Sequence, residues 1–530
     1  MQPRHCLLDE ALLSYRRTGT GEHCYVTLPQ LFEAMARDEV RDFPSLRPHQ
    51  RHPWHAFLVQ TAALALHRAG HDQVFGIDAE WRDALLALTP DQSDGAAWSL
   101  VSPLDQPALL QPPVPEGSLQ DWKTVPTPDA LDMLVTSKNH DLKGERMRLA
   151  SPEEWLFGLV SLQTQEGFLG AGNYGISRMN GGFASRPGIG VLPPGGWGTR
   201  WLRDVGVLLA ERESIAEVEG LPVAGGHALV WLVPWDGKTS LDFASLDPFY
   251  IEVCRRIRLT EHEGGVVAQA IGSKASRIQA KEREGRTGDA WVPITVVGDK
   301  ALTITRDGFN YKRMSALMFD ESAYRKPVAQ RIRASDGKSG LQILARCIAR
   351  GQGKTEGYHE RRVSISPKTV GFLARGETDV PAKMAEARIA AIGELRKLLW
   401  GGLCTLLRNG DGKDATEPQK ARASFYAQRF EQAEDSRFFD DLAEAIEAEE
   451  DERQHIFEHW LLACFARAEE SLREAFPSVP RSGIQRYRAQ AAALRYLHGR
   501  VRGPKSPLPL LRDLLAHRSA DPMTEMTDGV

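Results

Sequence analysis

The sequence predicts an α+β protein: an irregular, mixed N-terminal globular domain followed by a C-terminal four-helix bundle. Three observations carry this. Near Met384 the chain turns to long, strongly charged segments with apolar residues at helical spacing. Before that point, helical stretches alternate with short β-branched runs. Between Gly167 and Gly198 lie 11 glycines in 32 residues, too dense for a helix and too aperiodic for a repeat.

In chain order, Trp54 to Arg68 and Pro152 to Gln163 read as helices, and Trp291 to Val297 and Ala301 to Thr305 as strands. The glycine-dense stretch is a long loop, and long loops in compact domains usually carry function. The expected N-terminal domain is 1–365, with a linker over 366–383 bounded by Pro367 and Pro381. The bundle then occupies 384–515. Ile389, Ile392, Leu395, Leu399, Leu403 and Leu406 form one buried stripe, and Phe457, Leu461, Cys464, Ala468 and Leu472 another. Asn409 to Lys413 and Pro477 to Pro480 break the helices, and short turns impose antiparallel neighbours. A flexible tail is expected over 516–530.

Composition bounds the function. The 530 residues suggest two to four folded units at roughly 150 each. With 42% hydrophobic and 26% charged residues, disorder throughout is excluded. A net charge of -4 gives no global attraction to nucleic acid, so any such binding needs locally sorted charge. That sorting exists. Arg325 to Arg362 holds ten basic and three acidic residues, Glu431 to Glu452 eleven acids and one arginine, and Arg481 to Lys505 seven basic residues and no acid. Such runs are either solvated helix faces or phosphate-binding surfaces. No apolar stretch approaches the roughly 18 residues of a membrane helix, and acids occupy the first residues where a signal peptide is apolar, so a cytoplasmic location with no membrane partner is expected. Six scattered cysteines, Cys6, Cys24, Cys254, Cys347, Cys404 and Cys464, offer no zinc-binding pair.

Two motifs look chemical. Gly170-Ala171-Gly172-Asn173-Tyr174-Gly175 matches GxGxxG, but a helix precedes it where a dinucleotide fold needs a strand, leaving a backbone that can approach a ligand closely. His455, Glu458 and His459 match HxxEH, which on a helix could serve a zinc-dependent hydrolase. This is the enzyme-class alternative, although Phe457 and Trp460 interleave as bundle core. His49, His52 and His55 form a looser cluster in an expected loop.

The chain resembles the CasA family, the large subunit of the type I-E CRISPR surveillance complex Cascade. The resemblance runs through Leu7-Leu8-Asp9-Glu10 and Leu28-Pro29, the run Gly167 to Gly172, Gly288-Asp289-Ala290-Trp291, the segment Arg350 to Arg362, and Ser424-Phe425-Tyr426. It implies a non-catalytic, cofactor-free subunit that recognises the motif flanking a target in double-stranded DNA through the minor groove and starts strand separation. Its implied partners are the other Cascade subunits, the guide CRISPR RNA and a helicase-nuclease recruited in trans for antiviral defence. Some relatives hold zinc with a cysteine cluster; only Cys254 is nearby here, and no metal is carried over.

By the same resemblance, Gly170, Ala171, Gly172 and Asn173 form the groove-reading loop. Lys274, Arg277 and Lys281 are candidates for a lysine inserted into the groove, with Lys274 and Lys281 preferred. Gln352, Gly353, Lys354 and Thr355 form a wedge hairpin, whose plain alternative is a surface turn. Lys138, Asn139, His140 and Lys143 correspond to a loop touching guide RNA and neighbouring subunits. Arg486, Arg488, Arg495, Arg500 and Arg502 give the bundle a nucleic-acid face.

Overall fold

The computed structural model describes residues 2–132, 134, 147, 149–179, 181–182, 184–351, 354–410, 414–479 and 483–520. They form two compact units, Met1–Phe309 with Glu321–Val363, and Asn310–Asp320 with Ser364–Val530.

The first unit is organised by helices α1 (Leu28–Ala36), α2 (Arg51–Ala69), α3 (Asp78–Ala87), α4 (Pro152–Gln165) and α5 (Trp197–Glu219). Every residue of α2 from His52 to Leu66 is buried, so its sides are all core, which is why it lacks the one-sided apolar pattern of a surface helix. It packs against α3, α4 and α5. Aromatic rings fill the spaces between them: Phe32 lies 4.9 Å from Trp81 and 5.4 Å from Trp201, and Trp54 5.0 Å from Phe157. The strands make small sheets of two or three strands. Two of these matter for the site. Arg256–His262 and Gly265–Ile271 form a hairpin edged by Lys123–Val125, and strand Gln342–Gly351 lies between Lys354–Ser364 and Gly188–Leu192.

The runs Trp291 to Val297 and Ala301 to Thr305 are shorter as strands than expected. Only Ile294–Thr295 and Lys300–Ala301 pair, joined by Tyr324–Arg325. Pro293 has no N–H to extend the ladder.

Charge is buried in this unit in closed clusters. Asp204, fully buried, accepts from His55 at 2.8 Å, from the Trp291 indole at 3.1 Å and from Arg203 at 3.0 Å. Burial alone would raise its carboxyl; the His55 hydrogen bond and the charges of Arg200 and Arg203 override that and hold it down at about 2. The histidine cluster expected in a loop is thus dispersed. His49 lies in a 3-10 turn against Asp132, while His52 and His55 sit inside α2. Burial, with the nearby arginine charges, pulls His52 well below its ordinary range and His55 down to about 4.

A pH dependence follows. An unfolded histidine ionises near 6.5, so as pH falls the unfolded chain takes up protons before the buried imidazole of His55 does. The stability this neutral imidazole contributes is complete above pH 6.5 and drains away as pH approaches 4. Unfolding free energies from urea titrations at pH 7.5 and 4.5 are expected to differ by roughly 2–3 kcal/mol from His55 alone, and His55→Gln should shrink that difference. An unchanged difference in the variant would show that His55 is not the titrating group.

The second unit contains α6 (Tyr311–Phe319), α7 (Pro367–Arg375), α8 (Asp379–Leu407), α9 (Glu417–Glu447), α10 (Arg453–Glu474), α11 (Ile484–Arg502) and α12 (Pro509–Ala520). Helices α8 to α11 are the four anticipated, with α8 packed against the other three. Ile392, Leu395, Leu399, Leu403 and Leu406 face inward on α8, as do Leu461, Cys464, Ala468 and Leu472 on α10.

The stretch expected as a linker is largely helical. Ser366 caps α7 by accepting from the Thr369 N–H, Gly376 ends it at a φ of 71°, and α8 begins at Asp379. The prolines read as boundaries, Pro367 and Pro381, both lie in first turns, where the missing N–H costs a helix nothing. Helix α12 likewise runs to Ala520, into the segment expected as tail. Segment Asn310–Asp320 belongs to this unit too: the Tyr311 N–H donates to Asp435 at 2.6 Å and Lys312 pairs with Glu431 at 2.6 Å.

Candidate nucleic-acid interface

Helix α4 ends because Glu166 leaves the helical region for extended geometry, and the glycine loop begins there. The Ile176 N–H donates to the Glu166 carbonyl at 2.9 Å and closes the loop at its foot. At its tip the Asn173 N–H donates to Gly170, and the Leu169 N–H to Asn173, both at 2.9 Å. The glycines at foot and tip serve different purposes. A Cβ on Gly167 would lie 1.9 Å from the Ala184 carbonyl oxygen, so the foot admits no side chain. Gly170 has open space around it and a φ of 115°, so there glycine is needed for backbone shape. Ala171 and Asn173 are exposed at the tip.

The segment leaving strand Gly265–Ile271 docks against this loop. The Ser273 N–H donates to the Gly172 carbonyl at 3.0 Å, and the Tyr174 hydroxyl donates to the Lys274 carbonyl at 3.1 Å. Gly172 and Gly272 lie back to back, closely enough that a Cβ on Gly272 would be 3.3 Å from the Gly172 oxygen. The backbone at Lys274 is held again from behind, its N–H donating to Gly237 at 2.6 Å, while its side chain is exposed. Lys281, also exposed, shares with Phe168, Tyr174 and Gly175 the lining of a cavity of about 380 Å³. The glycine loop and two lysines, over a hundred residues apart in sequence, therefore form one surface.

Arg277 does not join that surface, contrary to expectation. It is buried, with its guanidinium donating to the carbonyls of Val233 at 2.7 Å, Val230 at 3.3 Å and Pro234 at 3.3 Å. Burial lowers it to about 10. A cation spent on three carbonyls cannot also grip phosphate; it staples the return of the lysine segment to the body of the unit. Tyr174, which sequence reasoning passed over inside the GxGxxG match, is the side chain that joins the loop to the lysine segment.

Strands Gln342–Gly351 and Lys354–Ser364, which precede and follow the expected wedge, are neighbours in one sheet. Gln352 and Gly353 lie outside the described residues. Lys354 is exposed beside them, whereas Thr355, expected with the tip, is buried at 3% exposure and belongs to the body of the strand. Lys138, Asn139, His140 and Lys143 also lie outside the described residues.

On α11, Ala489, Ala493, Leu497 and Val501 form the buried stripe, and Arg486, Arg488, Arg495, Arg500 and Arg502 are all exposed. Arg488, Arg495 and Arg502, seven apart, fall on one side of the helix. Tyr487, 73% exposed, adds an aromatic ring that charge counting missed. The HxxEH residues also lie on a surface: His455 and His459 are exposed, and Glu458 accepts from Gln454 at 2.8 Å. Among the described residues, no group of three histidine, cysteine or acidic side chains is placed to hold a metal ion. No helix among them is long and apolar enough to cross a membrane.

No family model matches the chain, and no curated protein matches it in sequence. Its architecture, a mixed α/β N-terminal part followed by a helical C-terminal one, is similar to that of solved CRISPR-associated proteins. Specifically, the fold is that of CasA, also called Cse1. Thermus thermophilus CasA (Cse1) superposes with a TM-score of 0.66 at 16% identity, covering 96% of this chain and 100% of that one. Thermobifida fusca Cse1 gives 0.65 at 14% identity, covering 94% and 97%. A chain of a CRISPR RNA-guided surveillance complex gives 0.56 at 13% identity, covering 94% and 99%.

Proposed function

We propose that this protein is the non-catalytic large subunit of an RNA-guided CRISPR complex, reading the motif that flanks a target in duplex DNA and starting strand separation. The observation that carries the reading is the docking of the lysine segment onto the glycine loop through Ser273 and Tyr174. A minor groove about 6 Å wide admits backbone and small side chains, and presents mainly acceptors to be read. Gly170 to Asn173 supplies such a tip, with the Asn173 side-chain amide as a donor, and Lys274 and Lys281 supply charge. Discrimination over a few base pairs then suffices, because pairing with guide RNA reads the rest.

The hairpin tip from Gln352 to Lys354 is the element suited to enter the stack next to the flank. Unstacking one step costs on the order of a few kcal/mol, offset by contacts to the parted strands. Its partners in this reading are the other subunits of the complex, the guide RNA and a helicase-nuclease that cuts in trans; Lys138 to Lys143 and the arginine face of α11 are the surfaces assigned to RNA, subunits and DNA strands.

The test is reconstitution with guide RNA and the remaining subunits, followed by selection from duplexes with randomised flanks. Enrichment confined to a few positions beside the target is expected, with indifference to the flank as the contrary outcome. In the same complex, Gln352→Ala with Lys354→Ala is expected to keep initial capture within about twofold while slowing strand separation. Equal opening rates would remove the hairpin from the mechanism.

A further inference from the structure

The lysine segment is held by two neighbours, and the one away from the glycine loop carries a further exposed cation. The glycine loop holds it through the Ser273 N–H and the Tyr174 hydroxyl. The second neighbour is the stretch 236–242. There the Gly237 carbonyl accepts from the N–H groups of both Lys274, at 2.6 Å, and Ala275, at 3.2 Å. Further along, the Ser240 hydroxyl donates to the Ser276 carbonyl at 2.6 Å, the Leu241 N–H donates to the Arg277 carbonyl at 2.8 Å, and Leu241 faces Ile278 in parallel register. The two stretches run side by side from Lys274 to Ile278.

Asp236 shapes this neighbour. Its Oδ1 accepts from the backbone N–H groups of Lys238 at 2.8 Å and Thr239 at 2.9 Å, and its Oδ2 from the Thr239 hydroxyl at 3.3 Å, which closes a tight turn. Gly237 sits in that turn at a φ of 77°, and a Cβ on it would lie 2.9 Å from Arg256 Cδ, so glycine is required. The next residue, Lys238, is exposed. It follows directly on the carbonyl that fixes the Lys274 backbone, which makes the two lysines backbone neighbours across the two stretches. Among the described residues no carboxylate is ion-paired with either, whereas Arg283, two positions past Lys281, is paired with Glu219 at 2.9 Å. The nearby Asp236 oxygens are taken up by the turn itself. An exposed ammonium without an ion-pair partner, on a backbone already fixed, meets a phosphate at little ordering cost beyond that of its own side chain.

We propose that Lys238 is a further DNA-binding residue of this surface, contacting a backbone phosphate of the flanking duplex next to the lysine segment. This rests on the reading of the glycine loop and lysine segment given above. What it adds is affinity without sequence preference, because a phosphate carries no base identity.

The experiment measures binding of the reconstituted complex to a target duplex across a salt series, for wild type, Lys238→Gln and Lys238→Arg. It is repeated with duplexes in which one flank phosphate at a time is replaced by a neutral methylphosphonate. Lys238→Gln is expected to lower the salt slope by nearly one unit and to weaken binding about eightfold at 0.1 M salt, equally for every flank sequence. Lys238→Arg keeps the charge and is expected to retain both. At one phosphate position the neutral linkage is expected to weaken wild type about eightfold while leaving Lys238→Gln within about twofold, the mark of a direct pair. An unchanged slope in Lys238→Gln overturns the proposal. So does a loss that couples to no single phosphate, which would make Lys238 a contributor to the general field, and so does a loss confined to some flank sequences, which would put it on a base edge. Lys274→Gln with Lys281→Gln tells the two failures apart. If that pair lowers the slope and Lys238→Gln does not, this inference alone falls; if neither changes the slope, the reading of the surface fails and takes this inference with it.

Discussion

Asp204→Ala is expected to destabilise the first unit by about 3–5 kcal/mol, the cost of removing one partner from a buried ion pair. The carboxylate is 0% exposed, and its loss strands the His55 ring, the Trp291 indole N–H and part of the Arg203 guanidinium away from water. Against a typical domain stability of about 5–15 kcal/mol, this is a third or more of the total. The urea midpoint measures it. Asp204→Asn, which keeps an acceptor for Trp291 and His55 but loses the charge facing Arg200 and Arg203, should fall between wild type and alanine. Arg203 has a second carboxylate, pairing with both oxygens of Asp336 at 2.6 and 3.0 Å. A loss below about 1 kcal/mol would mean that Asp336 alone compensates the cluster.

Neutralising Lys274 and Lys281 together is expected to flatten the salt dependence of duplex binding by nearly two units of slope. Each phosphate contact contributes about 0.9 to the dependence of log affinity on log salt. At 0.1 M salt, this corresponds to about eightfold per charge and roughly sixtyfold for the pair. Both side chains are exposed, so neither substitution opens a cavity or strands a buried group; Lys281 lines a cavity with loop residues, and Lys274 is joined to the loop through its backbone carbonyl. Arg277→Ala is the internal control. It should leave the salt slope unchanged while lowering thermal stability, because three backbone carbonyls lose their donor. A slope that drops for Arg277→Ala and stays fixed for the lysines would invert the assignment.

Three cations within eight residues, Lys274, Arg277 and Lys281, look alike in a linear reading, and no charge count separates them. Their difference is one of direction: Arg277 turns inward toward the carbonyls of 230 to 234, which the chain brings there only by folding. The GxGxxG match and its failing context were visible beforehand, and so was the need for a close backbone approach. That the loop leans on a segment a hundred residues later, through Tyr174 and Ser273, was not, since a hydrogen bond to a backbone carbonyl leaves no residue-type signature. The linker was misread for a related reason: Pro367 and Pro381 mark boundaries in composition, yet proline in a first turn is a helix start, and only the Ser366 cap tells the two apart.

What the amino-acid order determined by itself is what is local or periodic. The apolar stripes of α8 and α10, the breaks near Asn409 and Pro477, the acid-free helix from Ile484 and the glycine-dense loop all follow from spacing and backbone freedom within a few turns of chain. What only the tertiary structure decided is which charges are free and which are spent. Asp204, Arg258, Arg277 and Glu166 are ordinary polar residues in the sequence, and each is buried. Their partners come from elements distant along the chain, and a charge moved from water into a low-dielectric interior is defined by those partners rather than by its neighbours in sequence.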